Sequence, residues 1–298
     1  MDKLAIGIDM GGHYIKAALI EGEKFLRRWE EPTFKTRTVE GVIDQLQGIV
    51  KQLQPPGYVL PVGVGVPGFL DMDREHVVLL PNFPGWEGLP LKSMLEDGLK
   101  TDVAIENDAN CFALGEGLAG LAKGLKNLVA ITLGTGIGGG IVLDGKLLKG
   151  AHGYAGEPGH MAFGKDEPCG CGCRGHLEAI SGTDAMEKRA IRLGLPDDME
   201  VLWPRRKEAA VAEIIRPSLN AIAKAIASIV HLLDPEMIIL GGGFSRAEGL
   251  LQELKPLVQS YLVPHFRDTF RLEISSLGND AALLGAASLV QDRSTTAA

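Results

Sequence analysis

A short apolar run, a glycine turn and a second apolar run occur twice in this chain, and that repetition constrains the fold more than any other feature. The first copy is the run over residues 3–9 ending at Asp9, the turn Met10-Gly11-Gly12, and the run over 14–20. The second is 128–133, the stretch Gly134-Thr135-Gly136-Ile137-Gly138-Gly139-Gly140, and the run over 141–143. Short apolar runs bounded by turn residues read as buried strands. The copies stand one ordinary domain length apart, so two related halves are expected. A chain of 298 residues with 45% hydrophobic content can supply two medium cores, given roughly 100–200 residues per domain.

Between and after the copies, strand and helix signals alternate. Apolar spacing predicts a helix over 39–53, a strand over 60–66 stopped by Pro67-Gly68, a strand over 103–106 and a helix following Asp108. Helical spacing returns over 214–233, where Pro217 is expected to break or kink the early part. A strand over 237–240, one near 271–274 and a small-residue helix over 279–290 complete the pattern, and the tail 293–298 is expected to carry no structure. Such alternation defines the α/β class.

The formal charge of -8 and a sequence pI near 5.4, with no run of Lys or Arg, leave no electrostatic footprint for nucleic acid or an anionic membrane. Small-molecule chemistry is therefore expected. The apolar stretch 4–8 is too short for a secretory signal and ends at Asp9, and no apolar run reaches bilayer length. A cytoplasmic chain without a membrane span follows. Three of the four cysteines fall at 169, 171 and 173, too local for a disulfide framework in that compartment.

The stretch 134–140 contains a literal G-x-G-x-x-G, yet a dinucleotide site needs a helix after the glycines, and here residues 141–143 continue as a strand. A hairpin stripped of side chains instead lets backbone N–H groups approach phosphate oxygens, with Thr135 adding a hydroxyl; the alternative is a glycine-rich hairpin with no ligand. Asp9, at the end of a buried strand beside the other glycine turn, can hold Mg²⁺ through water or simply cap its turn. In Glu106-Asn107-Asp108-Ala109-Asn110, Asp108 could cap the following helix or serve as the carboxylate that takes a proton from an acceptor hydroxyl, with an adjacent amide holding a neighbouring hydroxyl. His160, His176 and two or three of Cys169, Cys171 and Cys173 supply the N and S ligands of a tetrahedral Zn²⁺ site, against a reduced glycine loop with incidental thiols.

Together these motifs resemble the ROK family (repressor, open reading frame, kinase) over essentially the whole chain. The resemblance implies an actin/hexokinase-like fold, a duplicated ribonuclease H-like α/β unit whose two domains close over ATP and a sugar in the cleft between them. The smaller domain would take residues 1–112, with a C-terminal helix near 280–292 packed back on it. The larger would take 113–279 and include the zinc loop 157–178. Asp9, Gly11, Gly12, His13 and Lys16 fall on the first phosphate motif, Gly134, Thr135, Gly136 and Gly138 on the second, and Gly241, Gly242 and Gly243 with 278–285 on the adenosine side. Asp108 falls on the catalytic base. Asn107, Glu157, His160 and Glu178 fall on the sugar-hydroxyl ligands, and Gly68 and Asn82 belong to segments that resemble the small-domain wall of the sugar cleft. The implied activity is transfer of the γ-phosphoryl group of Mg-ATP to a hexose 6-hydroxyl, with a homodimer as the assembly. Glucose leads on family frequency, followed by mannose, fructose, N-acetylglucosamine and N-acetylmannosamine.

Two positions depart from the family pattern. His13 stands where the first phosphate motif usually has Thr, which replaces a hydroxyl by an imidazole and bears on the choice of phosphoryl donor. His176 stands where the zinc site usually has its last Cys, so the expected ligands are His160, Cys169, Cys171 and His176, with Cys173 as a competing thiolate. Two thiolates and two neutral imidazoles would balance the charge of structural Zn²⁺. The same family includes sugar-sensing repressors, which carry a DNA-binding segment ahead of the first phosphate motif; Asp9 lies near the start of this chain and the charge is acidic, which disfavours that reading.

Overall fold

A computed structural model describes residues 4–164, 166–291 and 296–297. Its two five-stranded sheets are copies of each other in order and sense. In the first, β1 (Leu4–Met10) pairs antiparallel with β2 (Tyr14–Glu21), which pairs antiparallel with β3 (Lys24–Pro32). Past the short β4 (Tyr58–Val59), β5 (Val62–Val66) joins the other edge of β1 in parallel. After the small hairpin β6 (Phe69–Leu70) and β7 (Val77–Leu79), β8 (Val103–Asn107) adds in parallel to β5. The order is β3-β2-β1-β5-β8. In the second sheet, β9 (Leu128–Leu133), β10 (Ile137–Leu143) and β11 (Lys146–Leu147) repeat the antiparallel half, and β12 (Met237–Gly241) and β13 (Arg271–Ile274) repeat the parallel half. β5 and β12 are buried at every position, as strands covered on both faces require.

Helices cover these sheets. α1 (Val39–Leu53) starts where the Thr38 side chain accepts the Gly41 N–H, and it buries Val42, Ile43, Leu46, Ile49, Val50 and Leu53 at helical spacing against the first sheet. α2 (Leu91–Leu99) closes the same core. The second core gathers α4 (Leu177–Ser181), α5 (Thr183–Arg192), α6 (Met199–Leu202), the long α7 (Ala209–Leu233) and α8 (Leu250–Tyr261) around β9 and β12. No helix among the described residues is long and apolar enough to cross a membrane.

Between the sheets, α3 (Asp108–Ala119) follows β8 and α9 (Asp280–Ser288) follows β13. Both begin on the same tripeptide, Asn107-Asp108-Ala109 and Asn279-Asp280-Ala281. They pack with backbones almost touching: a Cβ on Gly115 would lie 1.8 Å from the Ala281 carbonyl oxygen, and one on Gly285 would lie 1.8 Å from the Cys111 carbonyl oxygen. Only glycine permits this reciprocal approach. α9 also lies against Gly7 and Gly63 of the first sheet, so the end of the chain returns to its beginning.

Several expectations change. α7 runs unbroken through Pro217; the proline is exposed, so the carbonyl it leaves unbonded one turn earlier faces solvent. The strand expected over 60–66 begins only at Val62, after Pro61, which has no N–H for a ladder. The glycine hairpin is shorter than it reads, because Gly138, Gly139 and Gly140 already belong to β10. In the tail, Thr296–Ala297 pair with β4, and residues 293–295 and 298 lie outside the described residues.

Candidate active site and metal centre

β8 delivers the chain to α3 so that Asn107, and not Asp108, is the helix cap. The Asn107 side-chain oxygen accepts the Asn110 N–H at 3.0 Å, and its amide donates to the Gly68 carbonyl at 3.1 Å. Asp108 is thereby the first helical residue, its carboxylate accepting the N–H of Ala109 at 2.8 Å. The acid that the sequence allowed as a cap does not act as one.

Four carboxyls converge here from four elements. Burial, then the charge of Asp9, then that of Glu157 push Asp108 up to about 7. Burial raises Asp9 to about 6, with Lys16 across the β1/β2 ladder pulling it back. Burial and the charge of Glu178 raise Glu157 to about 7. Carboxyls held this far above their ordinary range are poised to exchange protons near neutrality or to gain from a cation.

The two glycine hairpins frame this cluster. In the first, Gly11 donates to the Tyr14 carbonyl at 3.0 Å, and Gly12 lies against the side chain of Asn82. His13 is exposed, and its carbonyl accepts the N–H of Thr33, whose hydroxyl donates to Gly11. Thr33 thus braces the turn from below, a role that nothing in the sequence signals. In the second, the turn is Gly134-Thr135-Gly136 with Thr135 exposed at its apex. Gly138 lies within β10, and its N–H donates to Thr132 Oγ1 at 3.1 Å. Glu178, from α4, accepts the Ile137 N–H at 2.9 Å and packs so close to Gly136 that a Cβ there would meet it at 2.3 Å.

Thr135 stands on the ridge between two grooves. One, of about 940 Å³, runs past Gly134 and Gly243 to Trp203, Phe244 and Arg246. The other, of about 630 Å³, contains Asn82, Gly136 and Glu178. Of the three glycines 241–243, which end and follow β12, only Gly243 lines either groove. Gly241 packs under the Phe112 ring and Gly242 over the Leu133 carbonyl. Asn107, Asp108, Glu157 and His160 line neither groove. Gly68, at the mouth of the β6/β7 hairpin, joins the cluster through its carbonyl bond to Asn107.

His160 connects the cluster to the cysteine loop. Its ring lies over Phe69 with centroids 6.4 Å apart, and its Nδ1 is 3.2 Å from Nδ1 of His176. Cys171 Sγ lies 3.3 Å from that same His176 nitrogen. The ligand atoms of His160, Cys169, Cys171 and His176 all fall within 4.8 Å of one another. A tetrahedron with metal–ligand bonds of about 2.0–2.3 Å has edges of about 3.3–3.8 Å, so the four residues fit a zinc ion with little movement. Cys173 is exposed and stands outside this set; its carbonyl receives the Cys169 N–H at 2.9 Å. The exposed Cys173 side chain gives the other four residues the better geometry for a shared ion. Burial foremost, with neighbouring Cys171 and Glu178, pushes the Cys169 thiol up to about 11, so metal binding here must displace a proton.

Glu106 stood in the polar motif at 106–110, but its partner Arg74 did not; the two lie beneath the cluster as a buried ion pair at 2.9 Å. Arg74 gave no signal inside its polar turn.

Two sheets of one topology, each opening on a glycine hairpin, with acids gathered between them, define a protein of the actin/hexokinase-like class. This chain belongs to the ROK family, whose profile matches residues 5–293. It is 36% identical to the glucokinase of Thermotoga maritima over 309 aligned residues, which cover 97% of each chain. Among solved structures it resembles a ROK family glucokinase from Streptomyces griseus in complex with glucose and AMPPNP, at a TM-score of 0.82 and 30% identity over 96% of this chain and 98% of that one. It also resembles the ROK hexokinase from Thermus thermophilus, at a TM-score of 0.83 and 32% identity over 95% and 96% of the two chains.

Proposed function

We propose that this chain is an ATP-dependent hexokinase, with glucose as its first substrate and Asp108 as its general base. The observation that carries the reading is the freed carboxyl of Asp108, held near neutrality among Asp9, Glu157 and Glu178 between two glycine hairpins. As the sugar 6-oxygen forms its bond to the γ-phosphorus of ATP, Asp108 takes the hydroxyl proton. The bond to the bridging oxygen breaks and ADP leaves. The chain's own contribution is largely alignment of acceptor and donor.

Asn107, Glu157, His160 and Glu178 would hold the other sugar hydroxyls, with Gly68 and Asn82 on the opposite wall. The turns at 11–13 and 134–136, with Lys16, would take the phosphates, and Gly243 the nucleoside side, where the larger groove offers Trp203 and Phe244. Asp9 would hold Mg²⁺ through water, which supplies charge neutralisation on the phosphates; a buried acid with a single lysine opposite fits that role. His160, Cys169, Cys171 and His176 would hold a structural Zn²⁺ that orders the loop and fixes the His160 ring. The separate cores support a division into a smaller body, 1–112 with the returning α9, and a larger one, 113–279. The free cysteines fit a cytoplasmic setting.

The test is a coupled assay of ADP release with glucose, mannose, fructose, N-acetylglucosamine and N-acetylmannosamine, each with ATP and with inorganic polyphosphate. Glucose with ATP should give the highest kcat/KM. No hexose-dependent turnover with any pair would end the reading.

A further inference from the structure

Beneath the acid cluster lies a polar network that the proposed chemistry does not use. Glu106, at the end of β8, is 2% exposed, and Arg74, in the turn between β6 and β7, is 6% exposed. The Arg74 Nε–H is shared between both Glu106 oxygens at 2.9 Å. One of those oxygens also accepts the backbone N–H of Asn107 and the side-chain amide of Asn110, each at 3.0 Å. Glu106 therefore grips the turn on both sides of Asp108. Arg74 reaches two further segments, donating to the Asp71 carbonyl at 2.8 Å and to the Gly153 carbonyl at 3.2 Å. Gly153 lies four residues before Glu157 in the same loop.

Two physical facts argue that this arrangement serves more than stability. An ion pair this buried is no better for stability than apolar side chains of the same size, since desolvation offsets the attraction. Arg74 also has φ +58°, and it is the buried one among the five described non-glycine residues with positive φ. A long side chain in that region is strained. Strain and desolvation are both tolerated where one guanidinium can link three segments.

We propose that Arg74 and Glu106 are positioning residues for phosphoryl transfer. Glu106 holds the 107–110 turn so that Asp108 points at the acceptor hydroxyl, and Arg74 locks that turn to the 149–157 loop carrying Glu157. The proposal deepens the kinase reading and rests on it for its kinetic consequence.

The test compares the wild-type protein with Glu106→Gln and with Arg74→Met/Glu106→Gln, the second of which leaves no charge buried alone. Both should lower kcat by about tenfold to a hundredfold, the scale of a small misplacement of reacting groups, with the KM for ATP unchanged. Amide hydrogen exchange supplies a readout independent of turnover: residues 107–112 and 151–157 should exchange faster in both variants, and the α7 core should not. Wild-type kcat and unchanged local protection in the double variant would overturn the proposal. A purely structural role would show as a lower Tm with kcat per folded molecule retained, and that outcome also overturns it. Absence of hexose-dependent turnover in the wild-type protein would instead defeat the kinase reading, and the exchange data would still decide whether the pair holds the turn.

Discussion

The carboxyl of Asp108, on the first turn of α3, is raised in part by the charge of Asp9 at the end of β1, although 98 residues of chain separate them. Strand order brings them together: β1 and β8 flank β5, all three run in parallel, and their carboxyl ends share one edge of the sheet. Substrates of open α/β sheets meet the protein at that edge.

A pH–rate profile follows. A general base works as its anion, and kcat/KM reports the groups of the free enzyme. With the base Asp108 near 7 and Asp9 near 6, kcat/KM for the hexose should level off above about pH 8 and fall about tenfold per unit below 7, the slope of one required anion. It should steepen below 6 as Asp9 protonates. An assay with both hexose and Mg-ATP well below saturation from pH 5 to 9 measures it, and a flat profile would contradict the assignment.

The same shifts predict a trade of stability against activity. Asp108 rises from an ordinary 3.8 to about 7, so the folded protein binds this proton more tightly than the unfolded chain. Its contribution to stability is best below pH 4, declines as pH rises from 4 to 7, and stays at its least favourable above 7. Asp108→Asn removes that penalty. The variant should be more stable than wild type by about 2 kcal/mol at pH 8, and not at pH 4. Urea midpoints at the two pH values provide the check.

Much of this architecture was legible because buried strands are apolar at consecutive positions and turns need glycine: 4–9, 14–20, 128–133 and 237–240 all read as the strands they form, as did α1 over 39–53, although its Thr38 cap was not marked. The acid at 108 was legible as a candidate, while its release from capping was not, since Asn107 and Asp108 are both good caps and geometry alone separates them. The matching Asn-Asp-Ala openings of α3 and α9 are a signal from which the symmetric helix pair could have been anticipated. The Arg74–Glu106 pair joins residues 32 apart in the chain with no periodicity to mark it.

Helix contact through glycine makes a sharp prediction. In Gly285→Ala the new methyl meets the Cys111 backbone carbonyl at 1.8 Å, so α9 must move away from α3, at a cost of about 1–3 kcal/mol or more. Gly48→Ala, on the exposed face of α1 with nothing within 4 Å, should instead stabilise, by about 0.5–1 kcal/mol. Thermal melts of both variants under one buffer condition measure the contrast.

The proposed zinc site predicts a selective pattern among three neighbouring thiols. Cys169→Ser and Cys171→Ser should lose zinc by elemental analysis, and Cys173→Ser should retain one equivalent, since its side chain is outside the cluster. Chelation of the wild-type protein should lower Tm, because binding free energy at such a site is also folding free energy. Full zinc content in Cys169→Ser would rule out the ligand set.

The most direct measurement is hexose-dependent ADP release by wild-type protein and by Asp108→Asn at pH 8, with glucose affinity of both measured by calorimetry. Loss of a general base should lower kcat by at least about a hundredfold while glucose still binds within a few-fold of wild type. Near-normal turnover in Asp108→Asn would contradict the account.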